Sequence, residues 1–299
     1  METAVAFEFC HPRSVLAAAA ASNISHVQLS DPAITWHLYF REGQLVYASN
    51  SADPFERLER HLRSLAGLLT ALDKDVRNEM RSRFSEDGDP QAPGSPTTDL
   101  CHDTGLCHDY GAIAWAVQEL YIDAISAGTL ASKITAEVME GYIQLPEANY
   151  GIKRQVLPQL PIFCTLQIVP FLERVEERLA VWRSLAPHLV SPYQRPYLAS
   201  KTLARTRLKE DRVNQLSKLL VGFNFRQLGM IVRQDELLFA QRLYPLMADQ
   251  IILLRSPLFP FDKLPYPRAA DSPHPKPPQQ PEHQSPRKFP IKSPNQQQP

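Results

Sequence analysis

The stretch "CHDTGLCHDY" places Cys101, His102, Cys107 and His108 within eight residues. Thiolate and imidazole are the donors of a tetrahedral zinc shell. The spacing fits no established Cys/His zinc pattern, however, and adjacent donors in each Cys-His dipeptide need awkward turns to reach one ion. The expected reading is a metal-free loop entering a helix with Asp109 as its N-cap. Together with Asp103 and Asp109, the same residues invite a Cys–His nucleophile. Such a pair is gathered by a fold from separate segments, whereas these are sequence neighbours beside a Ser/Pro/Gly-rich stretch. No Gly-rich phosphate loop, H-E-x-x-H, G-x-S-x-G or kinase set occurs. The sequence therefore predicts no catalytic residue, no metal ligand and no cofactor.

A second candidate is basic. Between Lys201 and Arg233 lie Lys201, Arg205, Arg207, Lys209, Arg212, Lys218, Arg226 and Arg233, against Glu210 and Asp211. Residues 213–221, 224–233 and 235–248 read as three helices followed by the short strand "IILL", the succession of a helix-turn-helix or winged-helix unit. A DNA-binding regulator using residues 201–249 is the alternative function this raises. The third helix, which would read the groove, opens with Asp235-Glu236, and phosphates repel both. Its body offers only Gln241, Arg242 and Tyr244 as polar readers. Nucleic acid is therefore not the expected partner.

The elements that would position these residues are legible from periodicity. Residues 12–22 read as a short helix with Pro12 at its start. In "NISHVQLSD" a strand turns Ile24, then Val27 and Leu29, inward. In "ITWHLYFREGQLVYAS", Ile34, Trp36, Leu38 and Phe40 alternate with Thr35, His37 and Tyr39, so a strand is expected. Gly43 supplies the turn, and Leu45 and Tyr47 continue on a return strand with Val46 and Ala48 behind. Asp53, Pro54 and Glu56 form a helix start. Phe55, Leu58, Leu62, Leu65 and Leu69 are its buried stripe, with Glu56–Arg60 and Glu59–Arg63 as pairs on the wet face, each worth about 0.2–0.5 kcal/mol.

Residues 85–109 lose their apolar periodicity and read as a flexible loop or linker. Ile113, Val117, Leu120 and Ile125 then form a helical stripe. "SKITAEVMEGYIQL" reads as a helix stopped by Gly141, with a short strand after it. "FLERVEERLAVWRSLA" buries Leu172, Val175, Leu179, Trp182 and Leu185. Residues 265–299 are Pro, Gln, Ser and Lys, and are expected to be disordered.

The predicted fold class is α+β. A small antiparallel sheet with a covering helix (residues 1–84) is followed by a mainly helical region (residues 110–264) with a winged-helix-like end. Zero net charge over 299 residues excludes a globally basic or acidic chain. Cys10, Cys101, Cys107 and Cys164 are too sparse for a disulfide framework, and reduced cytosolic thiols are expected. Glu2 and Glu8 precede the run Leu16 to Ala21, so it is not a signal peptide. No run reaches the roughly 18 apolar residues of a membrane span, so a soluble, cytoplasmic protein is expected.

"ITWHLYFREGQLVYASNSADPFERLERHL" resembles the N-terminal module of the cyanobacterial PatA-type response regulators, in which a W-x-L-Y-F strand turns through Gly into L-V-x-A and a basic amphipathic helix. Trp36, Leu38, Tyr39, Phe40, Gly43, Leu45, Val46 and Ala48 carry the match. "AIAWAVQELYIDAI" falls where the family has an E-x-x-x-D helix, and Asn214 to Leu254 where it has a helix-turn-helix-like end. The matching hairpin residues are core formers that identify the module rather than an active site. The resemblance implies non-catalytic signalling by protein–protein interaction, in type IV pilus-driven phototaxis or cell patterning. It implies a protein partner such as a pilus-motor ATPase or a separate receiver protein.

Two departures stand out. Regulators of this type continue into a C-terminal receiver domain of about a hundred residues, and residues 265–299 have neither that length nor hydrophobic strands. The helix after the hairpin is less basic than in the family, since Arg57, Arg60 and Arg63 alternate with Glu56 and Glu59. A stand-alone output module that accepts no phosphoryl group itself is the expectation.

Overall fold

Val27, Leu29, Trp36 and Leu38 lie on one side of a five-stranded antiparallel sheet, and all four are buried. The computed structural model of the chain describes residues 5–65, 73–84, 106–157 and 159–265. In the sheet, β1 (Ala6–Cys10), β5 (Ala148–Gln155), β2 (His26–Ser30), β3 (Thr35–Arg41) and β4 (Gln44–Asn50) run in the order β1-β5-β2-β3-β4. Period-2 alternation gives the pleat, and the facing residues Leu29–Trp36 and Val27–Leu38 follow from its register.

The β3–β4 hairpin is closed by Glu42 and Gly43, with φ of 50° and 75°. Two successive positive φ values match the right-handed twist of the flanking strands. A side chain on Gly43 would also put its Cβ 2.8 Å from the Ala20 carbonyl oxygen. The face assigned to Thr35, His37 and Tyr39 is covered as well: Tyr39 is fully buried, and the ladder shifts register between Tyr39 and Phe40. A register shift lets one strand carry an extra residue and twist harder.

Helices α1 (Pro12–Ala20), α2 (Pro54–Leu65) and α3 (Lys74–Phe84) come from the first third of the chain, and α4 (His108–Gln118), α5 (Ala124–Tyr142) and α6 (Ile168–Arg183) from the middle. Asp53 caps α2 by accepting from the Glu56 N–H at 2.9 Å. Helix α5 runs against β4, and the Ala48 N–H donates to Thr135 Oγ1 at 3.1 Å. Residues on both sides of the 85–109 stretch pack into one hydrophobic core.

Several expectations are corrected. The stripe through Leu120 and Ile125 is not continuous: Leu120 has φ 59° between α4 and α5, and both side chains are exposed. Gly141 does not stop a helix, because α5 continues to Tyr142. It is small for packing, since a Cβ there would lie 2.9 Å from the Trp36 ring. Arg60 is not on a wet face: it and Arg57 are buried, whereas Glu59–Arg63 stays at the surface. His108 and Asp109, assigned to the linker, are the first residues of α4. Leu106 and Cys107 of that stretch are described as well, Leu106 buried in the core and Cys107 at the N-cap of α4, while residues 85–105, Leu69 and residues 266–299 fall outside the described residues.

The terminal part contains α7 (Lys201–Arg205), α8 (Glu210–Leu219), α9 (Phe225–Val232) and α10 (Glu236–Ala248). They are bracketed by β6 (Arg195–Leu198) and β7 (Ile252–Arg255), which pair antiparallel. Asn224 and Gln227 form a reciprocal capping box on α9. The partner of β7 thus precedes the helices, and among the described residues no second strand follows α10 to make a hairpin wing.

Candidate functional site

The residues matching the hairpin motif form the middle of the core. Trp36, Leu38, Tyr39, Phe40, Leu45, Val46 and Ala48 are all buried, and Gly43 makes the turn. What they position is a set of buried polar side chains, in two adjoining groups.

The first group sits where β4 meets the start of α4. Asp109 is fully buried in the first turn of α4 and is not its N-cap; that position is Cys107, whose side chain makes no cap bond. Asp109 Oδ2 accepts from Ser49 Oγ at 2.6 Å and Tyr47 Oη at 3.0 Å, and lies 3.5 Å from the Arg57 guanidinium. Arg57 also donates to Ser49 Oγ and to the side-chain and backbone oxygens of Asn50. The Cys107 N–H donates to Tyr39 Oη at 2.8 Å. Burial, then the neighbouring Asp109 charge, pushes the Cys107 thiol well above its usual range. A thiol in that state is a poor nucleophile and a poor metal ligand. His108 Nδ1 lies 3.1 Å from the Phe84 carbonyl. Cys101 and His102 lie outside the described residues, among which no three His, Cys, Asp or Glu side chains converge on a metal position.

The second group joins five helices. Glu137 of α5 takes both terminal nitrogens of Arg60 from α2, at 2.9 and 2.7 Å. It also meets His61 at 2.9 Å and accepts from Tyr193 Oη at 3.0 Å. One turn on, Glu140 accepts from Arg226 of α9 at 2.5 Å and Arg178 of α6 at 2.8 Å. Glu236 at the start of α10 pairs with the same two arginines. Burial alone would raise Glu137, but the charges of Arg60 and Arg226 and the His61 bond hold it well below the usual carboxylate range. Glu236 is brought down to about 2, because Arg226 and Arg178 outweigh its burial. For Glu140 burial prevails and its pKa is raised.

A cavity of about 20 Å³ borders this group, lined by Asn50, Glu137, Trp182, Tyr193, Arg226 and the chain at Leu264 and Pro265, among others. That is room for about one water. Trp182 Nε1 and Arg226 Nε make no hydrogen bond to the protein.

A third pair lies on the sheet. His26 and His37 face each other with ring nitrogens 3.1 Å apart, and Tyr39 stacks on His26 at 4.5 Å. Burial, reinforced for His26 by His37, depresses His26 to about 3 and His37 to about 4. Both imidazoles are neutral at physiological pH.

Chemically, the two acidic groups are interlocked ion pairs. Each carboxylate meets at least one arginine, and most of the pairs tie elements distant in sequence, Arg178–Asp235 at 57 residues apart and Arg226–Glu140 at 86 among them. A buried pair broken on one side leaves an uncompensated charge, at a cost of about 3–5 kcal/mol. The sequence reading missed these residues by assigning charges on helices to solvent. The signal was the helical wheel: Glu137 lies three residues after the buried Ile134, and Arg57 beside the buried Leu58.

The basic segment of the sequence is partly consumed by this arrangement. Arg226 is buried, Arg205 pairs with Glu210, and Arg207 faces Asp249. The third terminal helix opens with Asp235 capping its own N–H groups and Glu236 held by arginines, and Arg242 donates to Gln234 at 2.6 Å. Among the described residues no helix is long and apolar enough to cross a membrane. No family model matches the chain, and no solved structure matches it.

Proposed function

We propose that the chain is a non-catalytic signalling protein that acts by docking onto an acidic surface of a partner protein. The observation that carries this reading is the β6–β7 ribbon. Arg195 and Arg255 stand directly opposite each other on its two strands, two residues along from the Tyr197–Leu253 pair and on the same face. The Arg255 guanidinium lies 4.2 Å from the centre of the Tyr197 ring. Leu253 and, across from Tyr197, Val221 are 51% and 58% exposed. Like charges directly opposite on a ribbon are destabilising by themselves. An arriving carboxylate relieves that repulsion, and the exposed apolar side chains beside it suit a protein surface. The wider segment is charged accordingly, with twelve Lys/Arg against six Asp/Glu from Arg195 to Lys263.

The likeness of the hairpin to PatA-type modules supports a cytoplasmic setting in a cyanobacterium, in type IV pilus-driven motility or cell patterning. It supports a pilus-motor ATPase or a separate receiver protein as the partner. The test is direct binding of the purified full chain to each, with an Arg195→Glu/Arg255→Glu variant alongside. Binding that drops at least tenfold in the variant supports the reading; binding that ignores both charges removes the ribbon from it.

The same basic excess favours nucleic acid as a second reading, located on this ribbon rather than on α10. Retention on duplex DNA that falls steeply with salt, and is lost in the same variant, would promote it.

A further inference from the structure

Edge strands are where a sheet can accept another chain, and β1 is one: among the described residues it pairs with β5 on one side only. One face of β1 carries an apolar strip. Phe7 and Phe9 are 75% and 72% exposed, and Val5, on the same face by the period of the strand, is 54% exposed. Opposite Phe7 on β5 stands Gly151, where a Cβ would come within 3.4 Å of the Phe7 ring and of Val5. The glycine lets both side chains lie across the strand as a flat surface. The other face of β1 is settled, since Glu8 is held bidentately by Arg154 at 2.7 and 3.0 Å.

We infer that β1 is the contact through which two copies of this chain associate, strand against antiparallel strand, about a two-fold axis at Phe7.

The occupant follows from charge and register. In an antiparallel pair, opposite residues share a face, so a two-fold pair must be centred on a residue. Centring on Glu8 sets two carboxylates against each other, and centring on Ala6 leaves Phe9 without an apolar partner. Centring on Phe7 sets ring against ring, Val5 against Phe9 of the second copy, and Ala6 against Glu8. The whole apolar strip is then covered and no like charges meet. A strip of three side chains flanked by polar Gln28, Ser30 and Lys153 on neighbouring strands suits a partner strip of its own length. Two copies would bury on the order of 700 Å² of side-chain surface, taking about 150–250 Å² for a whole aromatic side chain. That lies below the roughly 1,200–2,000 Å² of stable interfaces, so the dimer is concentration-dependent.

The inference is independent of the ribbon and its partner. Its test is the mass of the full chain by analytical ultracentrifugation from about 1 µM to about 500 µM, the range in which an interface of this size titrates. The wild type should move from monomer toward dimer. Phe7→Lys/Phe9→Lys should stay monomeric throughout. Ala6→Glu, an exposed change that sets an acid opposite Glu8 of the second copy, should weaken association at least tenfold without altering the melting temperature. Opposite Cα atoms in such a pair lie about 4.5–5.5 Å apart, within disulfide reach. Phe7→Cys should therefore yield a 7–7 linked dimer under mild oxidation, mapped by peptide mass, and Glu8→Cys should not. A wild type that is monomeric at every concentration, a dimer that survives Phe7→Lys/Phe9→Lys, or an 8–8 link in place of 7–7 would each overturn the inference.

Discussion

Arg60 and Glu137 meet end on, two nitrogens to two oxygens, with both side chains buried and their positions 77 residues apart in the chain. The contact fastens the helix after the hairpin to the helix beneath the sheet. Glu137→Ala would leave Arg60 and Arg226 facing a lost carboxylate, and unfolding in urea should show a loss of about 3–5 kcal/mol. Replacing both partners with apolar residues, Arg60→Met with Glu137→Leu, should recover a large part of it. An equal loss in single and double variants would mean that the pair does not act as a unit.

Stability should fall with acid in two stages. His26 and His37 stay neutral in the fold down to about 3 and about 4. The unfolded chain takes up those protons below about pH 6.5. Between roughly pH 6.5 and 4 the unfolded state therefore binds more protons, and stability drops by several kcal/mol. Below about pH 4.5 the depressed carboxylates Glu137 and Glu236 add a second loss, complete for Glu236 near pH 2. His26→Gln/His37→Gln should flatten the first stage and leave the second. Denaturation midpoints across pH 3–7 would show whether it does.

Trp36 and Gly141 form a fitted contact. Gly141→Ala drives a methyl into the indole and should cost about 1–3 kcal/mol. Trp36→Ala should cost about 3–5 kcal/mol. If the contact is the cause, Trp36→Leu should make Gly141→Ala milder than it is in the wild type. Additive losses in a thermal-melt cycle would argue against it.

These cases show which parts of the chain could be read directly. Strand alternation at Trp36 and Leu38, the turn at Gly43 and the cap Asp53–Pro54–Glu56 are local, so adjacent residues carry the information. Gly141 is different: its reason lies on another element, and a glycine near a helix end resembles a stop. Arg57, Arg60 and Glu137 look like surface charges because their partners are dozens of residues away. Leu120 takes a left-handed conformation without being glycine or asparagine, so nothing local announces the break between α4 and α5. The likeness to PatA-type modules rests on side chains that are almost all interior, and it speaks to scaffold more than to docking surface.

Asp109 bears on phosphoryl acceptance. Its carboxylate is closed in by Ser49, Tyr47 and Arg57. The chain should gain no phosphoryl group on incubation with acetyl phosphate and Mg²⁺, read by intact mass. Asp109→Asn should destabilise, because Arg57 loses its charge partner, and should not change that mass result. A stoichiometric gain on an aspartate would refute the stand-alone output reading.

Cys107 should resist alkylation. With its thiol pushed up by burial, native protein at pH 8 should label there many-fold more slowly than urea-unfolded protein. Equal rates by peptide mapping would contradict the packing around Tyr39. Purified protein should also carry no stoichiometric zinc by elemental analysis.

The far edge of the sheet is closed. Leu45 exchanges two backbone hydrogen bonds with Leu166, the Val46 carbonyl accepts from Cys164, and the Ala48 N–H is taken by Thr135. A sheet extended at one rim and blocked at the other cannot elongate by repeated addition. Strand pairing at β1 therefore ends at two copies, a closed assembly, where a sheet open at both rims would nucleate filaments.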